Sequence, residues 1–225
     1  MFSKRRSSKN RITTFILLVI IPFVVCSGLF FMMKSKNLTQ FQVLEKTKGF
    51  WMDLQDRVGG AKIPAEYIPI YMEAAEAYDI PWTLLAAHHR VETRFSKMNP
   101  LVSPAGAEGH MQFMPCTFVG WEYPGCNGLG EGNIPKEDLT DPDVIAKYGG
   151  YGVDANGDGK ADPYDIEDAI FSTANYISSH GAATGEIEQA IFEYNRSEKY
   201  VKDVLFYFDK YEDIKSDYEI KLAKK

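Results

Sequence analysis

The longest apolar run in the chain lies near its N-terminus, where residues 12–33 contain no charged side chain. About 20 helical residues cross a hydrocarbon core about 30 Å thick, so this run predicts one transmembrane helix. Five basic residues and no acidic residue precede it, and basic residues stay on the cytoplasmic side of a membrane. We therefore expect a single-pass anchor in the cell membrane, with residues 1–11 cytoplasmic and the rest exported. A cleaved signal peptide is the alternative, although its apolar region is typically shorter.

The pattern changes after the anchor. Residues 34–60 are mostly polar and end in two glycines, which predicts a stalk or linker. Beyond them, apolar and small residues recur at helical spacing. This spacing predicts helices over 65–78, from 81 to about 95, over 107–121, over 165–179 and from 186 to about 211. A glycine-rich loop is expected over 123–159, and no strand-like alternation persists. The sequence thus predicts a mostly α domain over 61–211 and a charged, frayed tail over 212–225.

The charge distribution restricts the class of partner. The whole chain has a net charge of −6, but residues 34–225 hold 20 basic and 31 acidic side chains and so carry −11. An acidic body repels a phosphate backbone, which argues against nucleic acid as a partner.

Three cysteines are too few for a disulfide scaffold. Cys116 and Cys126 both lie in the part expected to be exported, ten residues apart around a Tyr-Pro-Gly turn, whereas Cys26 lies in the predicted membrane segment. We expect Cys116 and Cys126 to form a disulfide, with two free thiols as the alternative.

Glu92 is the first candidate for chemistry. It lies near the C-terminal end of a predicted helix, where the helix dipole disfavours an anion and apolar neighbours desolvate the carboxyl. Both effects raise a carboxyl pKa, as a group that donates a proton near neutral pH requires. The alternative is a solvated surface glutamate paired with Arg90 or Arg94.

A second candidate is the segment DANGDGKADPYD at residues 154–165, which matches the D-x-[DN]-x-[DN]-G pattern of EF-hand loops. The candidate oxygen ligands are Asp154, Asn156, Asp158 and the carbonyl of Lys160. Position 12 of the loop is Asp165, which is shorter than the usual glutamate, so Asp168 is a further candidate for the closing carboxylate. The segment predicts a structural Ca²⁺ site, and an Asp- and Gly-rich turn without metal is the alternative.

Four segments occur in an order that is similar to a known family. They are Glu92-Thr93-Arg94-Phe95, the run SPAGAEGHMQFMP at 103–115, the acidic loop at 154–168, and Glu193-Tyr194-Asn195. The chain resembles the lytic transglycosylases of the goose-type lysozyme-like superfamily, and most closely the membrane-bound transglycosylase B type, over about residues 63–204. Two residues depart from the pattern, since His110 replaces the usual leucine and Arg196 stands where histidine commonly follows Tyr-Asn.

The resemblance implies a lysozyme-like (SLT-type) helical domain that cleaves peptidoglycan glycan strands at the β-1,4 bond between N-acetylmuramic acid and N-acetylglucosamine. Glu92 is implied to be the sole acid and base. It would protonate the glycosidic oxygen and then take the proton of the muramic C6 hydroxyl, which leaves a 1,6-anhydro end. The family also implies that Asp168 rather than Asp165 closes the metal loop, and no organic cofactor is expected. The positions that match the saccharide cleft are Ser103, Gln112, Tyr194 and Asn195.

Three other functions remain open at this point. In a hydrolytic muramidase, water would replace the C6 hydroxyl. A metallohydrolase would use His88 or His89 with Glu92, although adjacent helical residues point about 100° apart and no motif supplies a third ligand. A wall-binding module without catalysis is the non-enzymatic alternative.

Overall fold

The structure, a computed structural model, describes residues 62–222, with side chains up to residue 220. The predicted cytoplasmic segment 1–11, transmembrane helix 12–33 and stalk 34–60 lie outside the described residues. Among the helices of 62–222, none has both the length and the apolar character needed to cross a membrane.

Helices dominate the described residues, which contain no β-strand and two isolated bridges, Val102 with Glu108 and Glu108 with Phe113. The prediction of a mostly α domain is therefore confirmed. The elements are α1 (Ile68–Tyr78), α2 (Trp82–Thr93), α3 (Pro115–Val119), α4 (Lys136–Leu139), α5 (Pro142–Tyr148), α6 (Ile166–Ser179), a 3₁₀ turn (Ala182–Thr184), α7 (Ile187–Tyr194) and α8 (Glu198–Leu222).

Helix α2 is the centre of this arrangement. Every residue from Trp82 to Arg90 is buried, and α1, α6 and α8 all pack against the helix. Leu84 and Leu85 are fully removed from solvent. Complete burial of a leucine side chain contributes about 1.5–3 kcal/mol, so this central position rests on apolar packing on several sides.

Helix α8 corrects the expectation of a frayed tail over 212–222. The indole Nε1 of Trp82 donates to Glu219 at 3.2 Å, and the backbone N–H of Ile63 donates to the Tyr218 hydroxyl at 3.1 Å. Tyr211 is fully buried. Although this segment is highly charged, one face of it packs against the first residues of the domain.

Two predicted helices also differ from the structure. Within 107–121 only α3 is helical, because Gly109 and Gln112 adopt φ of +78° and +54°. A Cβ on Gly109 would lie 1.9 Å from the Pro163 carbonyl oxygen, so glycine is required for this close approach. The expected continuous helix over 186–211 is interrupted at Asn195, whose φ of −147° is extended. Helices α4 and α5 lie in the expected glycine-rich loop.

Candidate active site

Glu92 is the second-last residue of α2, and a strained turn follows it. Residues 94–96 are three consecutive non-glycine residues with φ between 55° and 63°. The Thr93 hydroxyl donates to the His110 carbonyl at 2.7 Å and so ties the helix end to the loop before α3. Left-handed backbone is costly for such residues and clusters at functional sites. The helix end that carries Glu92 is thus held from two sides.

The carboxyl group of Glu92 lies beside two tyrosine rings. Tyr200 of α8 donates its hydroxyl hydrogen to Glu92 Oε1 at 2.5 Å, and Tyr194 of α7 is close enough to interact electrostatically with the carboxyl. Burial raises the pKa of Glu92 to about 8, while the hydrogen bond from Tyr200 acts to lower it. The carboxyl therefore stays protonated at neutral pH. Burial is the principal cause of the raised pKa, and the side chain as a whole keeps partial contact with solvent.

His88 lies one helical turn before Glu92 and is fully buried. Its Nδ1 is 2.9 Å from the Tyr200 hydroxyl. Burial lowers the pKa of His88 to about 3, so the imidazole is neutral. Its Nε2 is buried and has no hydrogen-bond partner within the described part of the chain.

His89 faces a different part of the domain. Its Nδ1 lies 2.6 Å from the Tyr71 hydroxyl, and its Nε2 lies 2.8 Å from Ser96 Oγ. Within residues 62–222, no three His, Cys, Asp or Glu side chains are grouped as a metal ion requires. Among the described residues the metallohydrolase alternative therefore finds no support, because the two histidines diverge and their Nδ1 atoms bond to different tyrosines.

A cleft of about 410 Å³ adjoins this site. Tyr194, which interacts electrostatically with Glu92, is one of its lining residues, whereas Glu92 itself is not. Trp121 and Leu129 also line the cleft and are 53% and 73% exposed. Exposed apolar side chains with a few polar groups, here including Arg196, are typical of a ligand-binding cleft.

Two of the four predicted saccharide-binding residues line this cleft. Gln112 donates through Nε2 to the Gly109 carbonyl at 2.8 Å, which also stabilises its own left-handed turn. The hydroxyl of Tyr194 donates to the Met111 carbonyl at 2.8 Å and so fixes the ring in the cleft wall.

The other two predicted residues lie apart from the cleft lining. Ser103 Oγ accepts a hydrogen bond from the backbone N–H of Ala107 at 2.9 Å, which closes a local turn. Asn195 is exposed and directly follows α7. In this structure, therefore, only Gln112 and Tyr194 meet in one surface.

In the predicted metal loop, the carboxylate side chains accept hydrogen bonds from backbone N–H groups of the same loop. Asp154 accepts hydrogen bonds from the N–H groups of residues 157–159 at 2.9–3.1 Å. Asn156 and Asp158 each accept from the N–H two residues later, the second of these being Lys160. These bonds order the loop but leave its oxygens engaged with amides.

Asp165 and Asp168 have different positions. Asp165 caps α6 by accepting from the N–H groups of Glu167 and Asp168. Asp168 is 1% exposed and accepts from the N–H groups of Ala155, Asn156 and Asp162. Asp168 is thus the carboxylate that closes the loop on itself. Calcium binding by this loop stays a prediction.

Cys116 and Cys126 are joined by a disulfide, with their Cα atoms 5.5 Å apart. The backbone N–H of Cys116 donates to the Gly130 carbonyl at 2.9 Å. A Cβ on Gly130 would lie 3.2 Å from the indole of Trp121, so the ring packs closely on this glycine. The cross-linked loop thereby holds Trp121 in the wall of the cleft.

Comparison with known proteins finds a family that is similar to part of this domain. Residues 146–190 match the Transglycosylase SLT domain. Over these residues, which are 45 of the 225 in the chain, the sequence is similar to the transglycosylase SLT family. The SLT match extends from the end of α5 through the acidic loop and α6 into α7, and it stops before Tyr194. It supports an enzyme that acts on peptidoglycan, while the membrane-bound B type rests on the motif resemblance alone.

One curated relative matches a longer stretch of the chain. The L-Ala--D-Glu endopeptidase of Bacillus subtilis (strain 168) is 29% identical over 133 residues, which is 59% of this chain and 37% of that protein. This chain therefore spans little more than a third of the relative it matches. No solved structure matches the chain.

Sequence reasoning missed Tyr200 and its contact with His88. A continuous helix would place Tyr200 about 240° around the axis from Tyr194, since each residue turns about 100°. The break at Asn195 separates α7 from α8 and lets both rings approach Glu92. The extended residue after Tyr194 is a feature that helical periodicity alone does not reveal.

Proposed function

We propose that this chain is a lytic transglycosylase that cleaves the β-1,4 bond between N-acetylmuramic acid and N-acetylglucosamine in peptidoglycan. The observation that carries the proposal is Glu92, a carboxyl that burial keeps protonated beside a cleft wall. General acids work best when their pKa lies near the working pH, and a pKa of about 8 meets this condition. The SLT match supports the same polymer as substrate.

The proposed reaction uses one carboxyl twice. Glu92 donates its proton to the glycosidic oxygen as the bond to the muramic C1 breaks. The resulting carboxylate accepts the hydrogen bond from Tyr200, which stabilises the negative charge. The C6 hydroxyl oxygen then bonds to C1 while Glu92 takes its proton, which restores the acid and leaves a 1,6-anhydro ring.

The surroundings of Glu92 are compatible with an internal nucleophile. Retaining glycosidases hold two carboxyl groups about 5–5.5 Å apart, and a charged neighbour at that distance strongly affects the pKa of the acid. Among the described residues, burial and the Tyr200 hydroxyl account for the pKa of Glu92. A reaction that draws its nucleophile from the sugar needs no second carboxylate.

Location and partners follow from the anchor expected over residues 12–33. We propose that the helix holds the enzyme in the cell membrane with its N-terminus cytoplasmic, so that the domain faces the glycan strands outside. An insoluble wall polymer as substrate is consistent with this arrangement.

Product analysis tests the proposal. Purified peptidoglycan is digested with the detergent-solubilised full chain, and soluble muropeptides are analysed by mass spectrometry before and after borohydride reduction. We expect anhydro ends, which are one water lighter than hydrolytic ends and resist reduction. Reducible ends would identify a hydrolytic muramidase, and binding without release would identify a wall-binding module. Cleaved L-Ala–D-Glu bonds with intact glycan would instead match the name of the Bacillus subtilis relative.

A further inference from the structure

A buried imidazole contacts the proposed acid through a tyrosine. His88 Nδ1 is 2.9 Å from the Tyr200 hydroxyl, and that hydroxyl is 2.5 Å from Glu92 Oε1. The hydroxyl has one hydrogen to donate, so it cannot donate to both neighbours. The direction of these two hydrogen bonds depends on which nitrogen of His88 carries its hydrogen.

The absence of a hydrogen-bond partner for His88 Nε2 within the described residues distinguishes between the two tautomers. Nε2 is buried without a partner in the described residues. A hydrogen on Nε2 would leave a buried N–H donor unpaired, and such donors are rare in folded proteins because they are costly. A hydrogen on Nδ1 leaves only an unpaired acceptor at Nε2 and gives the N–H a partner in Tyr200. The structure therefore favours the Nδ1–H tautomer.

This tautomer fixes the direction of both hydrogen bonds. The Nδ1–H group of His88 donates to the Tyr200 oxygen, so the Tyr200 hydroxyl donates to Glu92 Oε1. The Glu92 oxygen that accepts this hydrogen bond is less favourable for carrying the acid proton, because the protonated oxygen of a carboxylic acid is the weaker acceptor. That proton therefore resides on Oε2, the oxygen that Tyr200 does not contact. In the opposite tautomer, Tyr200 would donate to His88, and Glu92 would direct its proton at Tyr200.

We propose that His88 is a positioning residue which, through Tyr200, keeps the transferable proton of Glu92 on Oε2 and free for the substrate. The inference rests on the proposed role of Glu92 as the acid. Packing supports a fixed imidazole, since the His88 ring lies 4.9 Å from the Tyr194 ring and 5.9 Å from the Tyr200 ring between centroids. His88 thus packs against the same two tyrosines that interact with Glu92.

The pH dependence of the reaction gives a specific readout. The titratable groups that face Glu92 are Tyr194 from α7 and Tyr200 from α8, and burial raises the pKa of both. They stay neutral, so the alkaline limb of kcat/KM reports Glu92. Because the bond from Tyr200 lowers the pKa of Glu92, loss of this bond moves the limb to higher pH.

A matched pair of amide substitutions tests the role of His88 in the full chain. In His88→Asn the amide N–H group lies near the position of Nδ1, whereas in His88→Gln it extends towards the position of Nε2. We expect His88→Asn to keep kcat within about threefold, and His88→Gln to lower kcat about tenfold at unchanged KM with a limb at higher pH. Equal losses in the two variants without a shifted limb would contradict a positioning role.

Two further measurements test whether His88 acts through Tyr200 and which of its nitrogens carries the hydrogen. Tyr200→Phe removes the connecting hydroxyl, so His88→Gln should cause no additional loss of kcat in that background. Losses that multiply would overturn the proposal. Long-range ¹H–¹⁵N NMR of the detergent-solubilised protein should show His88 with its hydrogen on Nδ1, and the Nε2–H tautomer would refute it without any activity assay. Activity retained in Glu92→Gln would instead refute the proposed function and leave the tautomer result standing.

Discussion

The end of α2 and the acidic loop at 154–168 each bury one carboxyl group, but the two groups receive different hydrogen bonds. Burial raises the pKa of both Glu92 and Asp168. Glu92 receives one hydrogen bond from a side-chain hydroxyl of a distant helix. Asp168 receives bonds from three backbone N–H groups, which oppose the rise of its pKa. The three amide donors favour the ionised form of Asp168 against the effect of burial, while the single hydroxyl offsets the effect of burial on Glu92 only in part.

This contrast assigns different roles to two residues of similar chemistry. A carboxyl that is easily protonated can exchange a proton with a substrate, as Glu92 is proposed to do. A carboxyl surrounded by donors from its own loop organises the backbone, as Asp168 does between residues 155 and 162. Replacing each carboxyl by its amide therefore tests whether the two residues differ in this way.

The largest expected effect is on activity in Glu92→Gln. Glutamine keeps the shape and can still accept from Tyr200, but it has no transferable proton. General acid–base catalysis contributes about 10²–10⁴-fold, and Glu92 would serve both proton transfers, so release of soluble muropeptides should fall at least that far. Near wild-type digestion by Glu92→Gln would remove the centre of the proposed mechanism.

Glu108→Gln is the matched control for this experiment. Glu108 lies in the loop that carries Gln112, and its side chain interacts with Tyr164 rather than with Glu92. A glutamine oxygen can still accept from a tyrosine hydroxyl, so we expect most activity to remain. A folded but inactive Glu108→Gln protein would show that the wrong carboxyl was chosen.

The sequence predicted the local features of both regions better than the distant ones. Glu92 near a helix end, the acidic loop and the start of α6 all follow from residues that are adjacent in the chain. The contact of Tyr200 with Glu92 spans 108 residues. No local pattern specifies such a contact, which depends on the break at Asn195 and on how α8 packs against α2.

The charge of the C-terminal segment led to a wrong prediction, because charge does not reveal contacts with residues that are distant in the chain. Residues 212–222 are rich in Lys, Asp and Glu, which predicted a frayed tail. A helix exposes most of its surface, so a narrow packed stripe suffices to hold it. Here Glu212, Tyr218 and Glu219 bond to residues at the other end of the domain, such as Thr83 and Ile63.

The same amide substitution in the acidic loop should affect stability. Asp168→Asn replaces one acceptor oxygen by an NH₂ group that faces backbone N–H donors. A buried polar group left without a partner costs about 1–3 kcal/mol, so the free energy of unfolding should fall by that amount. Thermal and urea unfolding of the variant measure this loss. An unchanged midpoint would mean that the three amides do not depend on the Asp168 carboxylate.

The pH dependence of stability should sharpen the difference at Glu92. The pKa of Glu92 is about 8 in the folded protein and near its ordinary value of 4.5 when unfolded. Between these values the unfolded chain is ionised and the folded one is protonated, so rising pH favours unfolding. Glu92→Gln lacks this penalty. The difference between the melting temperatures of Glu92→Gln and wild type should therefore increase from about pH 4.5 to pH 8 and stay constant above pH 8. A constant difference across this range would show that Glu92 is not buried as an acid.

The smallest expected effect concerns calcium. The loop presents the oxygen-rich EF-hand pattern, yet its carboxylates already bond to backbone amides. Bound Ca²⁺ would stabilise the folded state, by about 1.4 kcal/mol at ten times the dissociation constant. Wild-type melting temperature should therefore rise with calcium and return on chelation, whereas Asp154→Asn should respond less. Activity of the calcium-free enzyme should persist, since the loop is remote in sequence from Glu92. If calcium leaves the melting curve unchanged, the amide bonds alone order the loop, and Asp154 and Asp168 serve the backbone without a metal.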